Sequence, residues 1–259
     1  MTLARPYGQP LAPAAAQVRC KVATERSERE AAFRLLHDSY THSGLIQPNP
    51  YGMRVTPYHL LSSTEMFVAK LHEQVICTVS LVGDGELGLP MEAIYPEIVA
   101  ERRAAGVRFA EVSALADRRS DMERFFPMFL KLIQVMLPYS YQHGVQQALI
   151  AVHPRHARFY ERFLKFQQIG EERAYPNVQN HPAVALCLDY ASLRETHPKV
   201  FREFVGRSIP ADELRSCPMS HEERSYFQPA ASCYDKASKE PSWSSDSEHV
   251  QAGQEACAA

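Results

Sequence analysis

The sequence lacks a strong excess of charge of either sign. Its 28 basic and 30 acidic residues give a formal net charge of −2 over 259 residues, so no bulk field draws the chain to nucleic acid or to an anionic membrane surface. We therefore expect no nucleic-acid partner. A small molecule or another protein is the expected partner.

Paired metal ligands are also missing. The six cysteines stand alone, with no Cys-x-x-Cys pair and no neighbouring histidine at a zinc-binding spacing, which argues against a structural zinc site. His153 and His156 flank a Pro-Arg pair, and His37 and His42 share a predicted helix, but neither pair has a metal-binding spacing. We therefore predict no metal. Isolated thiols are typical of a reducing compartment, which favours a cytoplasmic protein.

No apolar run is long enough to cross a membrane. The longest one, FFPMFLKLIQVMLPY, is interrupted by Pro127, Lys131, Gln134 and Pro138, whereas a spanning helix needs about 20 mainly apolar residues. The N-terminal segment is rich in Pro and Ala without a continuous apolar run, so it predicts neither a signal peptide nor an anchor. We expect no integral membrane segment, and we expect the long run to be a buried helix.

The composition favours one main domain, because 45% of the residues are hydrophobic and can close a sizeable core. We expect a flexible N-terminus over 1–17, an α/β domain over 18–205 and a C-terminal extension over 206–259. Ser, Glu, Lys and Gln dominate the end of that extension, which predicts disorder after about residue 230. The segment RSIPADELRSCPMSHEERSYF is expected to form short helical turns on the surface.

The first half of the main domain predicts a strand, a helix and a hairpin. QVRCKVA alternates as a strand, and Ser27 with Glu30 has the spacing of a capping box for the helix through AAFRLLHDSYTHSG. TEMFVAKL and QVICTVSLV are strand-like runs separated by the polar pair His72-Glu73, which predicts a hairpin.

The second half alternates between helices and strands. Its predicted elements, in order, are the helical insert LPMEAIYPEIVAERRAAG, the strand VRFAEVSALAD, a long helix capped by Asp121, the strand QQALIAVHP, the helix RHARFYERFLKF, the strands FQQIGEE and PAVALCLDY, and a helix from about Ala191 to Val205. This order predicts a mixed, mostly antiparallel central sheet with helices on both faces. In VRFAEVSALAD, strict alternation places Phe109, Glu111, Ser113 and Leu115 on one face.

Several of these segments resemble a known family. HPRHARFYERFLKFQQIGE resembles the last motif of the Gcn5-related N-acetyltransferase (GNAT) superfamily, where a strand leads to a helix ending in FYE-x-x-GF, although Lys165 replaces the usual glycine. FRLLHDSY, FVAKL with QVICTVSLV, ELGLPMEAIYPE and AEVSALA resemble successive blocks of the long-chain N-acyl amino acid synthases. These are relatives of the acyl-homoserine-lactone synthases, and the resemblance covers about Ala31 to Asp189.

This resemblance implies a GNAT-like fold and a reaction. A fatty acyl group would pass from the phosphopantetheine thioester of an acyl carrier protein, or from acyl-CoA, to the amino group of an amino acid or similar amine. No tightly bound cofactor is implied. An acyl-CoA-dependent N-acetyltransferase and a non-catalytic protein that binds an acyl ligand or carrier remain alternatives.

Differences between this sequence and its relatives limit which amine and which acyl donor are expected. The lactone synthases carry an arginine where this chain has Leu36, another in the strand after the hairpin where it has none, and Glu-x-Ser-Arg where it has Glu111-Val112-Ser113-Ala114. The missing guanidinium groups disfavour S-adenosylmethionine as the amine. The turn LADRRSDMERF has no glycine to cradle a pyrophosphate, as acetyl-CoA enzymes do.

Transfer from a thioester to an amine needs a base for the amine proton and an acid or dipole for the leaving thiolate. Glu111, with Ser113, is predicted to accept the amine proton directly or through water, or to anchor the ammonium group. The position of Tyr160 in the FYE step implies that it protonates the thiolate, while its helical spacing with Phe159 and Phe163 also suits a core aromatic.

Other residues are assigned to the donor. Arg118, Arg119 and Arg155 are predicted to bind the donor phosphate or an acidic carrier protein, although a charge cluster also suits a solvated face. Met128, Phe129 and Leu132, on one side of the long helix, are predicted to wall an acyl tunnel or to belong to the core.

Overall fold

The computed structural model describes residues 18–118, 122–210 and 214–237. The strands are β1 (Val18–Val22), β2 (Thr64–Leu71), β3 (Gln74–Gly83), β4 (Phe109–Asp117), β5 (Gln147–Val152), β6 (Gln167–Gln168), β7 (Arg173–Tyr175) and β8 (His181–Asp189). The α-helices are α1 (Arg26–His42), α2 (Pro96–Ala104), α3 (Met122–Gln142), α4 (Pro154–Phe159), α5 (Tyr190–Thr196), α6 (Pro198–Phe204) and α7 (His221–Ala237).

The strands form one mixed sheet in the order β1-β2-β3-β4-β5-β8-β6, with β7 added beside β8. The pairing of β4 with β5 is parallel, and the other strand pairs that the structure describes are antiparallel. Alternate residues of β2 enter different cores: Phe67 packs with the residues of α3, whereas Val68 packs with those of α1 and α7. The mixed, mostly antiparallel sheet with helices on both faces is therefore confirmed.

The hairpin is formed as predicted. Leu71 pairs with Gln74, so His72 and Glu73 make the whole connection, and His72 adopts a positive φ of 54°, as tight hairpin turns require. The cap of α1 is different from the prediction. Glu25 and Glu28, not Ser27 and Glu30, form the capping box, since Glu28 is also held by two lysines.

Strand β4 contains a bulge that alternation in the sequence did not predict. Ser113 lies opposite Ser80 and Ala116 opposite Thr78, so two residues of β4 face the single residue between them on β3. Ala114 takes a φ of 53° there. The extra residue reverses the alternation, so Leu115 packs with Ala110 in the core under α3. The prediction that Leu115 shares the face of Glu111 is wrong for this reason.

Strands β4 and β5 stay together for only three residue pairs. Phe109, Ala110 and Glu111 pair with Gln147, Ala148 and Leu149, while β5 continues alongside β8 as far as Val152. Beyond Glu111 the two central strands therefore part, and the gap between them opens the sheet at its centre.

The structure differs from two other predictions in detail. The helix expected from Ala191 to Val205 is divided into α5 and α6 at His197, because Pro198 has no N–H to continue a helix. FQQIGEE forms only the short β6, and β7 was not predicted.

The C-terminal extension packs on the domain through α7. Phe227, Ala230 and Ala231 are buried against α1, and the rings of Phe227 and Phe33 meet edge to face at 5.0 Å. Buried Glu65 accepts hydrogen bonds from the Ser216 hydroxyl and the Cys217 N–H. Short surface turns were predicted for RSIPADELRSCPMSHEERSYF, but its last residues begin α7, which continues past residue 230 to Ala237. The predicted flexible N-terminus, 1–17, and the part of the predicted disordered tail after Ala237 lie outside the described residues.

None of the helices in 18–118, 122–210 and 214–237 combines the length and the apolar character that a membrane crossing needs.

The packing of α7 leads to a prediction about stability. Phe227→Ala removes a fully buried ring and is expected to lower the free energy of unfolding by about 3–5 kcal/mol, measured by chemical denaturation. Gln228→Ala, at the exposed neighbouring position, is the matched control and should change stability by less than about 0.5 kcal/mol. Equal effects of the two substitutions would show that α7 does not pack on the core in solution.

Candidate functional site

A cavity of about 540 Å³ occupies the gap between β4 and β5, a size typical of small-molecule sites. One wall is the segment of β4 from Glu111 to Leu115, and the facing wall is Ile150 to Val152 of β5. Further walls come from α1, from the loop before β2, from the segment 175–183 and from α7. The cavity therefore lies where the central strands separate.

Glu111 is the buried carboxyl of this cavity, with 2% of its surface exposed. It is the last residue of β4 that pairs with β5. Its Oε2 accepts a hydrogen bond of 2.8 Å from the backbone N–H of Met91, which belongs to the 3₁₀ turn Pro90–Ala93. The insert ELGLPMEAIYPE is thus the segment that contacts this carboxyl.

Burial decides the acidity of Glu111. Loss of solvation raises its pKa to about 8, the Met91 N–H opposes that rise, and the nearby Glu92 adds to it. A carboxyl with a pKa in this range is a much stronger base than an exposed one and still ionises near neutral pH. The residue is therefore suited to accept a proton from an amine.

His59 forms a second polar group on the cavity wall. The Thr56 N–H donates to its Nδ1 at 3.0 Å, so the proton of the neutral ring lies on Nε2, which is 3.2 Å from the Ser80 hydroxyl. Burial lowers the pKa of His59 to about 3, with a contribution from Arg54. The ring is therefore neutral, and it holds Ser80 opposite Ser113, which also lines the cavity.

Arg54 lines the same cavity from the loop before β2. Its guanidinium carbon lies 4.4 Å from the centre of the Tyr40 ring and 5.7 Å from that of Tyr234, within the range of cation–π attraction. The side chain is half-buried, and its Nε is buried without a hydrogen-bond partner. Arg54 thus places a positive charge on the wall of the cavity.

Tyr160 lies on the cavity wall and also in the core. It begins the π-helical turn Tyr160–Leu164, and its buried ring meets Phe129 and Phe166 edge to face at 6.0 and 5.7 Å. Tyr160 therefore has the core position that its spacing predicted, and the role of its hydroxyl as an acid stays a prediction. Lys165 ends this turn with a φ of 66°, which is the left-handed conformation that glycine adopts most easily and accounts for the glycine of the related motif.

The two predicted donor arginines that the structure describes, Arg118 and Arg155, are not together. Arg155 lines the cavity, and its Nε donates to His156 Nε2 at 3.1 Å. Arg118 is exposed and is not part of the cavity wall; its backbone N–H donates to the Ile76 carbonyl. Arg119 lies outside the described residues.

The predicted acyl wall is likewise divided. Phe129 lines the cavity, whereas Met128 and Leu132 are buried in the core between α3 and the sheet. Met128 and Leu132 are four positions apart and lie about 40° from each other around the helix axis, whereas Phe129 lies about 100° from Met128. Of the two roles predicted for these residues, Met128 and Leu132 have the core role, and an acyl-wall role stays a prediction for Phe129.

Sequence reasoning missed four residues of the cavity wall, Arg54, His59, Tyr175 and Tyr234. Arg54 and His59 come from the proline-containing loop before β2, where no periodic pattern marks them. Tyr234 comes from α7, and Tyr175 from the short β7. The one local signal is that Arg54 stands between Met53 and Val55, two apolar residues that are buried.

Comparison with known proteins was made for the sequence and for the fold. The family model of N-acyl amino acid synthase FeeM matches residues 31–189. The solved structure of FeeM, an N-acyl amino acid synthase from uncultured soil microbes, is 27% identical with a TM-score of 0.61, and the match covers 69% of this chain and 93% of that one. No match was found among the curated proteins.

Two lactone synthases share the fold at lower identity. The acyl-homoserine-lactone synthase LasI is 15% identical with a TM-score of 0.54, covering 66% of this chain and 88% of its own. The CoA-dependent synthase BjaI, solved with MTA, is 16% identical with a TM-score of 0.54, covering 82% and 99%. Because the FeeM model matches more than half of the sequence, this chain belongs to the N-acyl amino acid synthase FeeM family and is an acyltransferase with the predicted GNAT-like fold.

Proposed function

We propose that this acyltransferase moves a long-chain fatty acyl group from the thioester of an acyl carrier protein to the amino group of an amino acid or a similar small amine. The observation that carries the proposal is the buried Glu111 carboxyl at the point where β4 and β5 part. The groove beyond it gives an extended pantetheine arm access to that carboxyl. Isolated thiols favour a reducing compartment, so we propose that the reaction takes place in the cytoplasm.

The reaction is a direct transfer without a covalent enzyme intermediate. The amine nitrogen attacks the thioester carbonyl carbon, the C–N bond forms and the C–S bond breaks. Glu111 accepts the proton that the amine loses, and Tyr160 or solvent protonates the departing thiolate. An amide and a free thiol are the products, and Glu111 returns its proton to water.

The main chain of β4 is proposed to stabilise the oxyanion of the reaction. After Glu111 the described part of β4 has no pairing with β5, so the backbone groups on that edge face the cavity. N–H groups held there before the reaction begins can stabilise the oxyanion that forms on the thioester carbonyl. Ser113, on the same wall, is assigned to binding of the amine.

Two features favour a carrier protein over free CoA as the donor. The turn LADRRSDMERF lacks the glycine of a pyrophosphate loop. Arg155 is exposed on the cavity wall, where a guanidinium can pair with the single phosphate of phosphopantetheine or with an acidic carrier surface.

The proposed reaction can be tested directly. Purified protein is incubated with the twenty protein amino acids and a dodecanoyl donor, either carrier-bound or as CoA, and the products are identified by mass spectrometry. N-dodecanoyl amino acids should form, and they should form faster from the carrier thioester than from the CoA thioester.

Arg155→Glu should raise the Michaelis constant for the carrier about tenfold at low salt and less at high salt. Arg202→Glu, at an exposed position on α6, is the control and should leave that constant unchanged. Equal rates from both donors would contradict the choice of donor, and no amide from either would contradict the reaction.

The raised pKa of Glu111 leads to a pH prediction. Because the ionised carboxyl takes the amine proton, kcat/KM should rise with pH through about 8, the pKa of Glu111. Glu111→Gln should lower kcat about 100-fold or more and remove this inflection, while the inflection from the acceptor ammonium stays. Glu101→Gln, exposed on α2, is the matched control. An unchanged pH profile in Glu111→Gln would contradict the assignment.

The same pKa predicts how stability changes with pH. A folded-state pKa above the unfolded value means that the protonated carboxyl stabilises the fold at low pH, and that this stability is lost as pH rises from 4.5 through about 8. Glu111→Gln cannot ionise at this position, so it should not lose this stability. The difference in free energy of unfolding, variant minus parent, should therefore become more positive as pH rises across this interval. This measurement separates the effect on folding from the effect on turnover.

Tyr160 is tested by removal of its hydroxyl. Tyr160→Phe keeps the ring contacts with Phe129 and Phe166, so the fold should persist. If the hydroxyl protonates the thiolate, kcat should fall about 100-fold with the Michaelis constant for the carrier retained. Tyr141→Phe, at an exposed tyrosine outside the cavity, serves as the control. Unchanged turnover in Tyr160→Phe would assign the residue to packing alone.

A further inference from the structure

The cavity contains a positive charge that the proposed chemistry does not use. Arg54 is half-buried on its wall and forms no ion pair with any carboxylate in the part of the chain that the structure describes. Its Nε is buried without a hydrogen-bond partner. A guanidinium that is partly withdrawn from water without a counter-charge is unfavourable, so the site is electrostatically incomplete.

The orientation of the guanidinium is set by aromatic rings. Tyr40 and Tyr234 present their faces to it at 4.4 and 5.7 Å. Rings on the guanidinium faces hold its plane and leave its edge, which carries the N–H donors, for a ligand. Tyr234 belongs to α7, outside the residues 31–189 that match the family, so the C-terminal extension of this chain completes the pocket.

Arg54 and Glu111 line the same cavity as Tyr40 and Tyr175. Burial is the largest cause of the raised pKa of both tyrosines, and at each of them the charge of Glu111 adds to the rise while the charge of Arg54 opposes it. The carboxyl and the guanidinium therefore act on the same pair of side chains in one enclosed space. A ligand with an amine at one end and an anion at the other matches this arrangement.

We propose that Arg54 is the specificity-determining residue of the acceptor site, because its guanidinium binds the carboxylate of the amino acid acceptor. The inference rests on the proposed function and narrows it. The planar guanidinium pairs with a carboxylate through two N–H donors, and the acceptor bound in this way directs its amine toward Glu111. Tyr40 and Tyr234 are positioning residues for Arg54 within this acceptor subsite.

The experiment compares matched acceptors on the unmodified protein. Each protein amino acid is paired with its decarboxylated amine, such as phenylalanine with phenethylamine, and kcat/KM is measured with the better donor. The amino acid that reacts fastest should exceed its amine about 10- to 100-fold, the range expected for a hydrogen-bonded charge pair. Equal rates within every pair would overturn the inference and leave the proposed reaction standing. Acylation of neither acids nor amines would overturn both.

Variants locate the effect at Arg54. Arg54→Gln should raise the Michaelis constant for the amino acid about 10- to 100-fold with kcat nearly unchanged, and should leave the constant for the matched amine as it was. Arg54→Lys should give an intermediate loss, since an ammonium lacks the planar fork. Arg34→Gln removes an exposed arginine that pairs with Glu30 on α1 and should change neither constant. Equal losses for acid and amine in Arg54→Gln would show a structural role and overturn the inference.

A competitor keeps the inference testable if Arg54→Gln does not fold. 3-Phenylpropanoate has a carboxylate and no amine. 3-Phenylpropanol has neither group and is uncharged. The acid should compete with the amino acid acceptor on the unmodified protein at a concentration at least about tenfold lower than the alcohol. Equal inhibition by both compounds would overturn the proposal.

Discussion

The site depends on the separation of β4 from β5 after Glu111. A parallel pair that continued for the length of both strands would fill the centre of the sheet with main-chain hydrogen bonds and close the cavity. The pairing ends instead at Glu111 and Leu149, and the bulge at Ala114 redirects β4 immediately afterwards. A bulge next to a ligand site changes the direction of side chains without breaking the strand. The Glu111 carboxyl, at the point where the two strands separate, is therefore buried but still accessible from the cavity.

The insert between β3 and β4 holds that carboxyl in place. Pro90 opens the 3₁₀ turn that supplies the Met91 N–H, and Glu92 of the same turn is tied to Arg103, which also binds Asp84. The ion pairs are partly exposed, so their contribution to stability is small. Their effect is geometric, because they fix the turn that donates to Glu111.

The sequence predicted the parts of the fold that local patterns encode. Hairpin β2–β3 has two strand-like apolar runs separated by two polar residues, and β5 is a continuous apolar run, so both were recognisable. The bulge in β4 was not, because it arises from a left-handed alanine and from the register with β3. The cap of α1 moved to Glu25 because tertiary contacts with two lysines fix Glu28.

The residues of the candidate site could be predicted only where they belong to a recognisable strand or motif. Glu111 and Tyr160 come from segments with a strong local pattern, and both line the cavity. Arg54 and Tyr234 come from a loop and from the C-terminal extension, and only tertiary packing brings them together. Phe227 had a clear apolar spacing with Ala230 and Ala231, but the polar composition around it hid the helix.

Glu111 and Arg54 must remain apart for either to have the role that we propose. The pKa of Glu111 is governed by burial, the Met91 N–H and Glu92, and Arg54 is not among those causes. A guanidinium in direct contact would stabilise the carboxylate, lower its pKa and weaken it as a base. It would also satisfy Arg54 and leave no donor for a ligand. Because the structure holds Arg54 on the rings of Tyr40 and Tyr234 instead, the basicity of Glu111 and the free edge of the guanidinium have a common origin in their separation.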